Sequence, residues 1–217
     1  MDPHEYIQNK YKIEPSNEKV VTIKGFLRSN MYETFHEFGY KVGAEIGVRL
    51  GNNAIQMFNA MPGVKLYLID TWILYRGALT LNDDKFHRLA YSITKRRMEP
   101  FNAVVMQMFS TEALKYIPDK SLDFVYIDAN HSFDYAMIDI IKWIEKVRTG
   151  GIISGHDYCW HPSWVKEGDN VIFNEGVRDA VNSYTDAHAI SRVYITEPSK
   201  TSIHWESDKN SSWFFVV

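Results

Sequence analysis

An acidic position ahead of a glycine loop, a second one at the end of the next apolar run and two carboxylate–imidazole pairs carry the chemistry available to this sequence. Glu45 opens the run Glu45-Ile46-Gly47-Val48-Arg49-Leu50-Gly51. A glycine behind a strand lets backbone approach a ligand, and a helix starting after it presents unpaired N–H groups. The run lacks the first glycine of G-x-G-x-x-G, which disfavours a pyrophosphate. A carboxylate at position 45 repels phosphate and suits a cationic or amino group instead. Asp70 ends the next apolar run, where a carboxylate accepts both hydroxyls of a ribose. Further on, Asp128 precedes His131 by three residues, and His156 is followed directly by Asp157. An imidazole titrates near neutral pH and serves as a general base. Trp72 has a flat face for a nucleobase or substrate and fits a core equally well. Plainer readings stand beside these: a simple glycine turn at 47, helix caps or turns at Asp70 and Asp128, and a solvated loop histidine at 131. His156 and Asp157 then only orient a substrate or each other.

Each of these residues falls at the end of a short apolar run. Residues 42–47 read as a strand, followed by a helix over 52–61 capped by Asn52, with Ala54, Ile55, Phe58 and Met61 on one face. Residues 64–69 read as a strand and 83–98 as a helix stopped by Pro100. A third strand spans 102–108, after which Ser110 caps a short helix over 111–116. The fourth strand is 122–127. Ser132 or Asp134 then starts a helix with Met137, Ile140, Ile141, Ile144 and Val147 at core spacing, ended by Gly150-Gly151. Residues 152–155 form the fifth strand. Strands alternating with helices predict a parallel sheet covered on both faces. Ligands in such sheets bind beyond the carboxyl ends of the strands, where the winding reverses.

The flanks break this rhythm. Residues 158–170 form a loop rich in aromatics, including Tyr158, Trp160 and Trp164, which either closes over an acceptor or tucks against the sheet. Residues 173–187 read as a helix, and 191–196 and 213–217 as strands. A loop containing Pro198 joins these two strands with no helix between, so they are expected to pair antiparallel at the sheet edge. Residues 16–38 look helical except around 22–25. The expected organisation is a single domain over 1–217, with 1–40 as an N-terminal helical extension. The basic run Lys95-Arg96-Arg97 reads as a solvated helix end that complements the dipole.

Composition narrows the partners. The 217 residues are 45% hydrophobic and 24% charged, with a formal net charge of −3, which argues for a packed globular core and against a bulk electrostatic grip on nucleic acid. No apolar stretch is long enough for a membrane span and no secretory signal is visible. The single cysteine, Cys159, excludes an internal disulfide and fits a reducing compartment, so a cytoplasmic location is expected. A homo-oligomer is left open.

Taken together, Glu45, Gly47, Gly51 and Asp70 resemble the class I S-adenosylmethionine-dependent methyltransferases, with the resemblance running from about Val42 to the C-terminus. It implies an α/β fold: a doubly wound, mostly parallel seven-stranded Rossmann-like sheet with an antiparallel last strand. It also implies that the acidic-glycine loop holds the methionine portion of S-adenosylmethionine and that Asp70 holds its ribose. Trp72, Ser110 and Asp128 would complete the cofactor site, with Ser110 at a common adenine contact and Met108 and Phe109 departing from the usual small and acidic residues. The segments 123–133 and 150–158 are similar to small-molecule O-methyltransferases, including sugar- and macrolide-modifying enzymes, and in layout to catechol-type metal-dependent ones. That likeness implies a small-molecule hydroxyl acceptor, His131 as base, and Asp128, His156 and Asp157 as ligands of a divalent cation, Mg²⁺ or Mn²⁺. His156 departs from the carboxylate of the catechol-type relatives. Two other readings stay open: a metal-independent enzyme using His131 alone, and a non-catalytic binding protein.

Overall fold

The computed structural model describes residues 2–14, 16–75, 83–159, 164–166, 171–173, 176–197 and 210–217. Trp160, His161, Pro162, Ser163, the side chain of Trp164 and Pro198 lie outside the described residues.

Eight strands form one sheet. In chain order they are β1 (Val20–Thr22), β2 (Val42–Ile46), β3 (Lys65–Asp70), β4 (Ala103–Gln107), β5 (Leu122–Ile127) and β6 (Val147–Gly155); the short β7 (Trp164–Lys166) and β8 (Val171–Phe173) pair separately, and β9 (Val193–Ile195) and β10 (Trp213–Val216) complete the main sheet. The spatial order is β1-β9-β10-β6-β5-β2-β3-β4. β10 runs antiparallel to both β6 and β9, and the remaining pairings of this sheet are parallel. The chain moves outward from β2 through β3 to β4, then crosses back to β5 beside β2. The winding therefore reverses between β2 and β5.

Period-two alternation splits the core into two layers. Leu66, Leu68, Phe124, Tyr126, Ile152 and Phe214 face α1 (Pro3–Lys10), α2 (Arg28–Glu37), α3 (Asn52–Ala60) and α4 (Asp84–Met98). Their sequence neighbours Ile69, Val125, Ile127, Ile153, Trp213 and Phe215 face α5 (Ser110–Ala113), α6 (Phe133–Trp143) and α7 (Val177–Ala187). Fully burying each such side chain contributes about 1.5–3 kcal/mol before entropy is subtracted. Among the described residues no helix is long and apolar enough to cross a membrane.

Several sequence expectations change. The sheet has eight strands rather than seven, because Val20–Thr22, which falls where the helical reading of 16–38 gives way to a break around 22–25, pairs in parallel with β9. Gly150-Gly151 does not end a helix. α6 stops at Trp143, and the glycines lie inside β6 where its register with β5 shifts. Sheet partners claim that backbone: the Gly150 N–H donates to the Val217 carbonyl at 2.7 Å. The buried face of α6 is Ala136, Asp139, Ile140 and Trp143, which leaves Ile141 exposed. The helix over 52–61 begins behind Gly51, not Asn52, as its cap.

Candidate active site

A cleft of about 1000 Å³ opens at the carboxyl ends of β2, β3, β4 and β5. Glu45, Gly47, Asp70, Ser110, Asp128, His131 and His156 all line it. The loop from Gly47 to Gly51 forms its floor. Gly47 has φ +87°, and a Cβ there would stand 2.0 Å from the Asp128 carbonyl oxygen, so the ends of β2 and β5 approach as closely as backbone permits. Gly51, at φ +75°, caps α3.

Asp70 holds this loop from the side. Its Oδ2 accepts from the N–H groups of Val48 (2.9 Å) and Arg49 (2.8 Å), and its Oδ1 from Trp72 N–H (2.8 Å). The Arg49 carbonyl in turn accepts from the Trp72 indole and the Thr94 hydroxyl, both at 2.8 Å. Arg97 donates to the Leu50 carbonyl and to Asn52 Oδ1, so the basic run at the end of α4 is partly a clamp on this loop rather than only a solvated end. Arg49, Trp72 and Asp157 all carry positive φ without being glycine. Such backbone is costly and persists where surrounding contacts over-determine it. Trp72 is 1% exposed and its ring packs against Tyr91. Trp72 nonetheless lines the cleft beside Asp70, where its backbone and indole N–H groups brace Asp70 and Arg49.

Glu45 sits at the deep end and is 1% exposed. Its Oε1 accepts from Asn53 Nδ2 at 3.0 Å, and Asn53 Oδ1 accepts from the Tyr32 hydroxyl. Its Oε2 is buried and has no hydrogen bond. Burial pushes the Glu45 carboxyl up to about 8, against the hydrogen bond from Asn53. A buried carboxylate oxygen without a donor, in the wall of a cleft, is a receptor for a cationic or N–H group. Arg28, at the start of α2, also lines the cleft and reaches the Tyr126 hydroxyl at 3.4 Å.

A second cluster stands across Gly47 at the ends of β5 and β6. His131 Nε2 lies 3.3 Å from Asp128 Oδ1 and 3.1 Å from Asp157 Oδ2. Asp128, His131 and Asp157 each offer one ligand atom, all within 4.8 Å of one another. His156 stands outside this set, because its Nδ1 faces the other oxygen of Asp157, Oδ1, at 3.2 Å. Asn210 donates to that same oxygen at 2.5 Å. Burial works to raise the Asp157 carboxyl, but the hydrogen bond from His156 and the charges of His131 and His156 outweigh it. They hold it well below the usual carboxylate range. Asp157 is therefore ionised throughout the working pH range, which both an imidazolium partner and a divalent cation require.

At the β4 side, Ser110 begins α5 and donates through Oγ to Asp139 Oδ1 at 2.6 Å. Burial raises the Asp139 carboxyl to about 6, against this hydrogen bond. Sequence reasoning missed Arg28, Asn53 and Asp139. Only Asp139 left a signal, as a charged residue on the buried face of an otherwise apolar helix.

A family profile described as a methyltransferase domain matches residues 44–158, more than half of the chain. The chain belongs to that family. The matched span runs from β2 to just past β6 and contains every cleft residue named above except Arg28; Tyr32 and Asn210, which support the cleft through Asn53 and Asp157, also lie outside it. No curated protein matches the chain. Among solved structures, an O-methyltransferase from Bacillus cereus in complex with SAH is 17% identical, covering 100% of this chain and 90% of its own, with a TM-score of 0.57. A protein from Staphylococcus aureus described as a caffeoyl-CoA O-methyltransferase is 12% identical, with coverages of 99% and 90% and a TM-score of 0.60. TomG of Streptomyces achromogenes, an O-methyltransferase of tomaymycin synthesis in complex with SAM, is 15% identical, with coverages of 100% and 89% and a TM-score of 0.56. At these identities the likeness shows the fold. This methyltransferase has the Rossmann-like architecture of class I S-adenosylmethionine-dependent enzymes.

Proposed function

We propose that this methyltransferase moves the methyl group of S-adenosylmethionine to a hydroxyl of a small molecule of sugar or phenolic type. The observation that carries the reading is the meeting of two unlike sites on either side of Gly47: a buried, donor-seeking Glu45 and the Asp128–His131–Asp157 cluster. In this reading Glu45 receives the ammonium of the cofactor's amino-acid end, Arg28 its carboxylate, and Asp70 the ribose hydroxyls. The sulfonium then lies between these anchors and the Asp128–His131–Asp157 cluster. The transfer is an in-line displacement. The S–CH₃ bond breaks as the O–CH₃ bond forms, the sulfonium becomes a thioether, and the acceptor's proton passes to His131. The enzyme's main tasks are alignment and removal of that proton.

The donor set also fits a divalent cation. The Nε2–oxygen separations of 3.3 and 3.1 Å are close to the edge of an octahedron with metal–ligand bonds of about 2.1 Å, roughly 3 Å. Asp128 and Asp157 would hold the ion, with His131 at its edge. An imidazole beside two carboxylates suits Mn²⁺ or Fe²⁺ at least as well as Mg²⁺. A bound cation supplies Lewis acidity that lowers the pKa of a hydroxyl brought to it. A metal-independent route through His131 alone is favoured by the donors already serving Asp157, namely His131, His156 and Asn210. Turnover of a hydroxylated acceptor panel, with and without a chelator, separates the two. Loss on chelation and recovery with Mn²⁺ or Mg²⁺ supports the cation, whereas unchanged turnover defeats it. Absence of any calorimetric heat with S-adenosylhomocysteine would overturn the cofactor assignment. The lone cysteine and acidic balance support a cytoplasmic enzyme acting on small molecules rather than nucleic acid.

Glu45 gives the binding a pH signature. The empty protein holds this carboxyl near 8, so receiving an ammonium requires it to release a proton. Affinity for S-adenosylhomocysteine is therefore expected to rise with pH by up to about tenfold per unit between roughly 6 and 8. The rise levels off as Glu45 is fully ionised and the ligand's own amino group, with a pKa of about 8, begins to lose charge. Calorimetry across this range should show the slope in the wild type and its loss in Glu45→Gln.

A further inference from the structure

Behind Glu45 two hydrogen bonds run in one direction. The Tyr32 hydroxyl, on α2, donates to Asn53 Oδ1 at 2.5 Å, and Asn53 Nδ2, on α3, donates to Glu45 Oε1 at 3.0 Å. Asn53 and Glu45 line the cleft, whereas Tyr32 is fully buried behind its wall. The Tyr32 ring packs edge-on against Phe35 and Tyr126, with centroids 6.2 and 5.8 Å away. Burial pushes the Tyr32 phenol well above its ordinary value, so the hydroxyl keeps its proton.

The direction of these bonds sets what Asn53 can do. An amide offers an acceptor at one end and donors at the other. With its oxygen held by Tyr32, Asn53 has its nitrogen left for Glu45, and a donor there favours the carboxylate over the carboxylic acid. Turned round, the amide would present Oδ1, which pairs only with a protonated Glu45. We infer that Tyr32 is a positioning residue for ligand binding. It fixes the Asn53 amide in the donating sense, so that Glu45 meets an incoming ammonium group as a carboxylate with Oε1 already paired and Oε2 open. This rests on the reading of the cleft as the S-adenosylmethionine site with Glu45 at the amino-acid end. The other charges facing Glu45 are Arg28 of α2, which favours its ionised form, and Asp70 and Asp128 at the ends of β3 and β5, which oppose it. Tyr32→Phe leaves all three in place.

The test is a calorimetric cycle in which S-adenosylhomocysteine is titrated into the wild type, Tyr32→Phe, Asn53→Ala and the double variant. Phenylalanine keeps the buried ring and removes only the hydroxyl. At about pH 6.5, Tyr32→Phe is expected to weaken binding by about 5- to 10-fold, within the range of one net hydrogen bond. On the Asn53→Ala background the same change should weaken it by less than about twofold, because the hydroxyl then has no amide to hold. A loss of equal size on both backgrounds assigns Tyr32 to packing alone and overturns the inference. The pH dependence of Tyr32→Phe gives an independent reading that needs only the single variant. At about pH 9 Glu45 is mostly ionised without the relay, so the loss should shrink to within about twofold. A loss of the same size at both pH values overturns the inference, since a packing defect weakens binding alike at each. If the wild type gives no heat with S-adenosylhomocysteine, the cofactor reading itself fails and takes this inference with it. If the wild type binds and Tyr32→Phe binds equally well, the cofactor reading stands and only the role of Tyr32 is lost.

Discussion

His131→Ala is expected to lower methyl transfer by about 10²- to 10⁴-fold, the usual contribution of a positioned general base, while S-adenosylhomocysteine affinity stays within about threefold. The reason is geometric. His131 Nε2 faces two carboxylates whose chain segments come from different strand ends, β5 and β6. The cofactor's proposed anchors at Glu45 and Asp70 lie on β2 and β3 instead. Removing the imidazole therefore strips the acceptor side of the cleft and leaves the cofactor side standing. Single-turnover rates with calorimetry on the same preparation check both halves. A variant that transfers methyl groups at the wild-type rate would remove His131 from the mechanism. A variant that also loses the cofactor would show that the two halves of the cleft are not independent.

Gly47→Ala should be the most damaging single methyl group that can be added at the cleft. The new carbon would stand 2.0 Å from the Asp128 carbonyl oxygen and 2.7 Å from the Ala129 Cα, on a residue held at φ +87°. Left-handed strain alone costs about 1–3 kcal/mol. The clash falls on backbone, which cannot rotate out of the way, so we expect a total of about 3 kcal/mol or more. For a chain of this size that is a fall in Tm of roughly 10 °C, read by thermal denaturation. Cofactor affinity should fall with it, because separating the ends of β2 and β5 moves Glu45 and Asp128 apart. Gly63→Ala is a useful control. Gly63 also has positive φ, but nothing lies within 4 Å of the position a Cβ would take, so backbone strain should be its whole cost.

The parts of this molecule legible in its sequence are those with a local cause. Apolar runs of strand length ending in glycine or aspartate mark β2, β3 and β5, and the fold places the ends of all three at one cleft. β1 was missed because it is three residues long and only half-buried, with neither the alternation of a one-sided strand nor the length of a buried one. Its strand character comes from β9, which no local window contains. Trp72 shows the same limit from the other side. An aromatic beside a strand-end aspartate reads equally as wall or core, and in the structure Trp72 is part of both the core and the cleft lining. At His156 and Asp157 the sequence presents two adjacent side chains of ligating type. The left-handed backbone of Asp157, φ +57°, turns one into the cluster with Asp128 and leaves the other supporting it from outside. α6 is rolled by one residue from the face its apolar spacing predicts, which buries Asp139 and leaves Ile141 exposed.

The pairing of β1 with β9 joins segments about 170 residues apart, and it sets an order on assembly. Contacts between distant segments form late, because the intervening loop must close before they repay its entropy. The layers around β2, β3 and β5 can collapse while synthesis continues, whereas residues 20–22 have no sheet partner until the chain beyond residue 190 has emerged. A nascent chain stalled before that point would carry its catalytic half already shaped and its leading segment still undocked.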